Sequence, residues 1–216
     1  MARCARERPW STSAPRRRQG LACRGSSPCA RSATASPAWT FLRKDRTLTS
    51  ELCTHVVVPG TFDPVTLGHM DVIRRARKLF PQVTVAVAES RHKRGTGTEF
   101  TLEERVDMLK RALRDEGMTD GIEVVPFCGL LVEFCKERGA GGVVKGLRAT
   151  TDFEYELQQA DLNTYMAPDL ESIFVMSSPK YGYVSSSIVR EIAAMGGDVD
   201  FLVPTCVAER LRAHYA

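Results

Sequence analysis

At 216 residues, 43% of them hydrophobic and 26% charged, the chain has the length and composition to bury one core of ordinary domain size, and no apolar run approaches the ~18 residues of a membrane-spanning helix. The net charge of +4 is unevenly spread: residues 1–50 carry ten Arg and one Lys against Glu7 and Asp45, a net +9 that leaves −5 for the rest. The part that folds therefore lacks the basic footprint of a nucleic-acid-binding domain.

Residues 1–52 hold Arg, Ser, Ala and Pro without helical or strand period, and such a segment buries too little apolar surface to offset its ordering entropy. They are expected to form a disordered extension to a single domain over 53–216. Three readings of the extension stay open: an over-extended or non-native start, an organelle transit peptide (Arg-rich, Ser-rich, poor in acids) and a nucleic-acid-binding tail. Both tryptophans, Trp10 and Trp39, lie within it. The seven cysteines form no C-x-x-C pair, which suits reduced thiols and a cytoplasmic location. Cys128, Cys135 and Cys206 read as small buried hydrophobes.

The domain opens with Val56-Val57-Val58, a buried strand of β-branched residues, ended by Pro59-Gly60. Thr66 can cap a helix whose apolar stripe is Met70, Ile73, Ala76 and Phe80. A strand, a tight turn and a helix N-terminus make an anion site, because unpaired N–H groups and the helix dipole point at one spot. His69 falls in the first turn of that helix.

Val83 to Ala88 reads as a second strand. Thr101-Leu102-Glu103-Glu104 is a capping box, with Val106, Leu109 and Leu113 continuing a helix. Ile122 to Val125 makes a third strand, and Leu130 to Arg138 a short helix with Gly139 as its cap. Gly142 to Val144 is a fourth strand, followed by a helix from Asp152 to about Tyr165. Ile173 to Met176 is the fifth. Ser185-Ser186-Ser187 opens a helix through Ile188, Ile192 and Met195, and a last helix runs from about Pro204 to His214.

Five βα units with near-continuous apolar strands predict an α/β fold, a doubly wound five-stranded parallel sheet of Rossmann-like type. Ligands of such sheets bind beyond the strand C-termini at the topological switch point. The segments there are Thr61, Phe62 and His69; Arg91 to Arg94 with Lys93 among them; Lys145-Gly146-Leu147-Arg148; and Lys180 to Ser187. Each has a bland alternative as a solvated loop or simple N-cap. Together they describe a polyphosphate pocket.

These residues resemble the nucleotidyltransferases marked by an H-x-G-H motif and a downstream I-S-S-T-x-x-R motif, here Thr66-Leu67-Gly68-His69 and Val184-Ser185-Ser186-Ser187-Ile188-Val189-Arg190. More closely, the chain resembles the phosphopantetheine adenylyltransferases. The resemblance rests on P-G-T-F-D-P-V-T-L-G-H at 59–69, F-T-L-E-E-R at 100–105, K-G-L-R at 145–148, D-F-E-Y-E at 152–156 and Y-V-S-S-S at 183–187. It covers about residues 54–216.

The resemblance implies that ATP and 4′-phosphopantetheine give dephospho-CoA and pyrophosphate by direct in-line attack, without a covalent enzyme intermediate. It implies catalytic roles for His69, Thr61, Lys93 and Arg148. Thr61, Lys93, Leu131 and Lys145 would hold phosphopantetheine. Thr61, Phe62, His69, Gly146, Leu147, Arg148, Glu156, Tyr181, Gly182, Tyr183, Val184, Ser185, Ser186 and Ser187 would line the ATP site. It further implies Mg²⁺ carried on the nucleotide phosphates, a homohexamer and feedback inhibition by coenzyme A, with neither nucleic acid nor membrane as partner.

The chain departs from that pattern in places. Lys145 stands where many relatives have Arg, and Tyr181 where Trp is frequent. Arg94 to Glu99 looks longer than usual, suggesting a mobile loop over the pocket. Thr66 replaces the first His of the wider motif, which favours the pantetheine branch over a cytidylyltransferase acting on glycerol 3-phosphate. A non-catalytic nucleotide-binding module is the reading from a different class.

Overall fold

The computed structural model describes residues 53–89, 98–148 and 150–216, with residues 150–152 described by backbone alone. The expectations for the 1–52 extension, for Arg91 to Arg94 and for most of the Arg94–Glu99 loop lie outside these residues.

Five strands, β1 (His55–Gly60), β2 (Gln82–Ala88), β3 (Ile122–Phe127), β4 (Gly142–Leu147) and β5 (Glu171–Met176), form one sheet in the order β3-β2-β1-β4-β5. Every pairing is parallel. The helices between them are α1 (Leu67–Leu79), α2 (Leu102–Asp115), α3 (Leu131–Glu137) and α4 (Thr150–Met166); α5 (Ser186–Ala194) and α6 (Thr205–Tyr215) follow the last strand. The chain leaves β1 in one direction for β2 and β3, then returns to β1's other side for β4 and β5. The switch point therefore lies between β1 and β4, where a cleft opens above the sheet.

Alternation along β1 divides the core. Val56 and Val58 join a large cluster with Ile73, Leu109, Val189 and Leu211, contributed by α1, α2, α5 and α6. Val57 points the other way, into a smaller cluster with Ala86, Val132 and Cys135, the last two from α3. A two-residue period thus feeds both faces of the sheet, which is why the strand reads as a continuous apolar run. Each fully buried Val, Ile or Leu contributes about 1.5–3 kcal/mol relative to exposure.

Four details differ from the expectations, the first being that β1 runs through Pro59 and Gly60, which pair with Ala86 and Val87 instead of ending the strand. β4 runs three residues past Val144, because Lys145, Gly146 and Leu147 pair with Phe174, Val175 and Met176 of β5. Partner-strand hydrogen bonding, not β-propensity, carries that extension. On α5 the buried positions are Val189 and Ala193, whereas Ile188 and Met195 are exposed. Two phases one residue apart compete on a nine-residue helix; Val189 and Ala193 face the core, with the expected Ile192 partly buried against it. Cys128 is exposed just beyond β3, while Cys135 and Cys206 are buried as expected. Burial pushes the Cys135 thiol up to about 11, so it behaves as a small hydrophobe.

The sheet's two margins differ. β3 carries Pro126 opposite Val87 of β2, so one N–H is missing from the outer strand. β5 has no proline among Glu171 to Met176.

Candidate active site

The cleft over the switch point is a cavity of about 630 Å³, within the range of small-molecule sites. Its walls come from the C-terminal ends of β1 and β4, the N-termini of α1 and α5, and one side of α4. Two helices thus direct free N–H groups and the positive ends of their dipoles at one space.

At the α1 end, Thr66 is the N-cap and His69 is three residues into the helix. The Thr66 hydroxyl accepts the His69 backbone N–H at 3.4 Å, and the Thr66 backbone N–H is donated to His69 Nδ1 at 3.1 Å. This is a capping box with imidazole in the place usually taken by Glu or Gln. Because Nδ1 accepts a backbone N–H, it carries no proton, and the neutral ring has its proton on Nε2. Burial, reinforced by the Arg148 guanidinium, pushes His69 down from 6.5 to about 4. The ring is therefore a neutral Nε2–H donor at pH 7.

The turn between β1 and α1 is held from behind. Phe62 has a φ of 49°, a left-handed conformation that costs a bulky side chain about 1–2 kcal/mol. Its ring folds back over Gly60, where a Cβ would come within 2.9 Å of Phe62 Cζ. The same ring meets the His69 imidazole edge-on, with centroids 5.1 Å apart. Phe62 is 3% exposed, so its side chain supports the site from beneath. Three carbonyls of the turn are occupied: Arg105 donates to Thr61, Arg190 to Asp63 and Ser186 to Pro64. These three bonds fix the backbone of the turn.

At the β4 end, Lys145 Nζ lies 2.9 Å from Glu156 Oε2 of α4 and 3.4 Å from Gln159 Oε1. Arg148 donates from Nη1 to the Val184 carbonyl at 3.2 Å, which joins the β4 end to the approach of α5. Gly146 has no room for a side chain: a Cβ there would lie 2.6 Å from Val72 Cγ2 on α1. The glycine lets α1 press against β4 and brings His69 close to the strand ends. At the α5 end, the Ser185 side chain accepts the Ile188 N–H at 3.2 Å as an ordinary N-cap.

Of the residues expected at the site, Thr61, Phe62, His69, Lys145, Gly146, Arg148, Glu156 and Val184 to Ser187 line this cavity. Leu147, Tyr181, Gly182, Tyr183 and Leu131 do not. Leu147 is buried in β4, Tyr181 packs on the large core cluster, and Leu131 packs on the small one. Lys93 lies outside the described residues. Tyr155 and Gln159 of α4, Ser177 after β5 and Val72 line the cavity without having been expected there. Tyr155 and Gln159 are four apart and share the face that carries Glu156, so the helix period alone could have found them.

A cytidylyltransferase-like family matches residues 57–192. The phosphopantetheine adenylyltransferase of Thermobifida fusca is 48% identical over 74% of this chain and 94% of its own length. That of Thiobacillus denitrificans is 49% identical over 72% of this chain and 93% of its own. Among solved structures, a bifunctional NMN adenylyltransferase/ADP ribose pyrophosphatase from Francisella tularensis superposes with a TM-score of 0.56 at 14% identity. The superposition covers 75% of this chain, which spans about half (49%) of that longer protein, and the likeness is one of fold.

Proposed function

Because this chain belongs to the phosphopantetheine adenylyltransferase family of cytidylyltransferase-like nucleotidyltransferases, we propose that its cavity joins ATP to 4′-phosphopantetheine, giving dephospho-CoA and pyrophosphate. The observation that carries the reading is the convergence of two helix N-termini and the neutral His69 Nε2–H on one cavity. A phosphate oxygen of phosphopantetheine forms a bond to the α-phosphorus of ATP while the bond from that phosphorus to the bridging oxygen of pyrophosphate breaks. The nucleophile is already ionised at neutral pH, so no general base is required. What the protein supplies is in-line positioning and stabilisation of charge on the pentacoordinate phosphorus.

In this reading His69 donates from Nε2 to a non-bridging α-phosphate oxygen, and Arg148 supplies positive charge beside it. Thr61 and Lys145, which line the cavity, hold the phosphopantetheine, with Lys93 and Leu131 assigned to it by the family resemblance alone. Phe62, Gly146, Arg148, Glu156 and Val184 to Ser187, which line the cavity, hold the nucleotide, with Leu147, Tyr181, Gly182 and Tyr183 assigned to it by the family resemblance alone. A neutral donor suits this task, since its strength does not change across the physiological pH range.

The proposal includes Mg²⁺ carried on the ATP phosphates. Among the described residues no three His, Cys, Asp or Glu side chains are grouped to bind a metal, and the lining carboxylate Glu156 is already paired with Lys145. Such a donor set fits an ion that keeps its waters and binds through substrate oxygens, where it would neutralise polyphosphate charge. Feedback by coenzyme A and a homohexameric state belong to the same proposal. The exposed Leu162, Tyr165 and Met166 of α4 support an assembly between copies. Among the described residues no helix is long and apolar enough to cross a membrane. A cytoplasmic location belongs to the same proposal.

The experiment is pyrophosphate release from the full chain, with ATP or CTP crossed against 4′-phosphopantetheine and glycerol 3-phosphate. Release with ATP and phosphopantetheine alone is expected. Release with CTP and glycerol 3-phosphate would move the chain to the cytidylyltransferases.

A further inference from the structure

Arg105 is the largest fully buried side chain among the described residues, 2% exposed, yet it lines no wall of the cavity. Its location is doubly unfavourable. A cation is out of water, and it lies in the N-terminal part of α2, where the helix dipole repels positive charge. Burial pulls its pKa down, and the carboxylates of Asp63 and Glu103 act against that.

What holds the guanidinium is a set of three backbone carbonyls from three separate segments. Nε donates to Phe100 at 3.2 Å, and Nη1 donates to Thr61 at 2.6 Å and to Ala88 at 2.9 Å. Asp63 closes the arrangement from the other side: Oδ2 accepts the Glu99 N–H at 2.9 Å and Oδ1 the Phe100 N–H at 3.1 Å. The start of α2, the end of β2 and the β1–α1 turn are thereby joined through one side chain. A planar fork with several donors can do this; a single ammonium on a flexible stem cannot hold the same three directions.

The contact with Thr61 bears on the chemistry. The Thr61 carbonyl belongs to the peptide plane that precedes Phe62, and the orientation of that plane sets the Phe62 φ. The φ of 49° places the Phe62 ring against His69. We propose that Arg105 is a positioning residue of the transfer reaction, fixing the Thr61–Phe62 peptide so that Phe62 holds the His69 ring in line with the cavity. This rests on the adenylyl-transfer reading for its kinetic consequence, but the geometric consequence stands without it.

The test is the Arg105→Lys variant of the full chain, with Leu109→Ala as comparison. Leu109 is fully buried on the same helix, has no hydrogen-bonding side chain and does not line the cavity, so truncating it lowers stability while leaving the Arg105 hydrogen bonds in place. Two quantities are read at a temperature where each protein is folded: kcat against the calorimetric Kd for ATP, and the ¹H–¹³C resonances of the His69 ring, which the Phe62 ring current displaces. For Arg105→Lys we expect kcat to fall about 10²-fold, the cost of a misplacement near 1 Å. The ATP Kd should stay within about threefold, and the His69 resonances should move. Leu109→Ala should leave both kcat and the resonances near wild type. If Arg105→Lys does not fold, Arg105→Gln relieves the buried charge, retains two N–H donors, and is read in the same way. Unmoved His69 resonances, a kcat within threefold of wild type, or an equal loss in Leu109→Ala would each overturn the proposal. A wild-type chain inactive with ATP and phosphopantetheine would instead sink the proposed function, and the resonances alone would then decide the role of Arg105.

Discussion

The backbone N–H of Thr66 is donated to Nδ1 of His69 at 3.1 Å, so the residue that faces the cavity is also the one that closes its own helix cap. Structure and chemistry can be separated at this position. Gln serves as well as Glu in a capping box, so His69→Gln keeps the cap while removing the imidazole. Its stability at pH 7 should match wild type closely, whereas His69→Ala should lose about 1 kcal/mol. Turnover should fall roughly 10²–10³-fold in both, by analogy with a lost oxyanion donor. Urea denaturation and pyrophosphate release on the two variants check this. A His69→Gln turnover within a few-fold of wild type would remove His69 from the chemistry.

The low pKa of His69 carries a pH signature. The folded protein resists a proton that the unfolded chain accepts between about 6.5 and 4. The unfolded state therefore binds more protons in that window, and stability rises with pH across it. The contribution is fully present above about pH 7 and is lost as pH falls toward 4. Wild type should lose about 2 kcal/mol more than His69→Gln between pH 7 and pH 4.5, measured by denaturant midpoints at the two pH values. The His69 ring resonances should stay flat from pH 5.5 to 8. A titration midpoint near 6.5 would contradict the tautomer argument.

Gly146 and Val72 make a size-matched pair. A methyl group at position 146 meets Val72 Cγ2 at 2.6 Å, and the β-branched Val72 has little rotamer freedom to yield. Gly146→Ala should therefore displace α1, costing about 1–3 kcal/mol and lowering turnover because His69 moves with the helix. The double variant Gly146→Ala with Val72→Ala should recover most of the activity. Thermal melts and steady-state kinetics on the three proteins test the pair, and failure of the second change to rescue would place the cause elsewhere.

Lys145 is assigned to the substrate phosphate, and its ion pair with Glu156 complicates any single change. Removing the lysine alone strands the Glu156 carboxylate, whose buried Oε2 faces the Lys145 ammonium at 2.9 Å. The double variant Lys145→Met with Glu156→Gln avoids this. The KM for phosphopantetheine should rise about 10–100-fold, as expected for loss of a charged hydrogen bond. Glu156→Gln alone provides the reference for any effect on ATP. An unchanged phosphopantetheine KM in the double variant would remove Lys145 from that role.

The parts of the site that are local in sequence could be read from it. Val56 to Val58, the Thr66 cap and the Ser185 cap follow from short-range propensities and hydrogen bonds within three or four residues, whereas Pro59 and Gly60, expected as a turn, continue β1 beside Ala86 and Val87. Placing the strand ends together required only the parallel βα pattern and its switch point. Residues that act across long separations were not legible. Arg105 reaches Thr61 across 44 positions, and Asp63 reaches Phe100 across 37. Nothing local distinguishes Arg105 from the other charged residues on its helix. The exposure of Ile188 and Met195 escaped for another reason, since hydrophobicity alone favours the larger side chains and the core took Val189 and Ala193.

The difference between the two margins of the sheet has a consequence for how a damaged chain would aggregate. Pro126 leaves the outer rim of β3 without a full row of donors, so a foreign strand finds poor purchase there. β5 has no such block, and beside it the exposed Phe153 of α4 touches Phe174 in an edge-on contact, with centroids 5.7 Å apart. Fibrillar growth from a partly unfolded protomer would therefore have a direction: it would begin at the Glu171–Met176 rim and spread outward from it, while the proline side stayed inert.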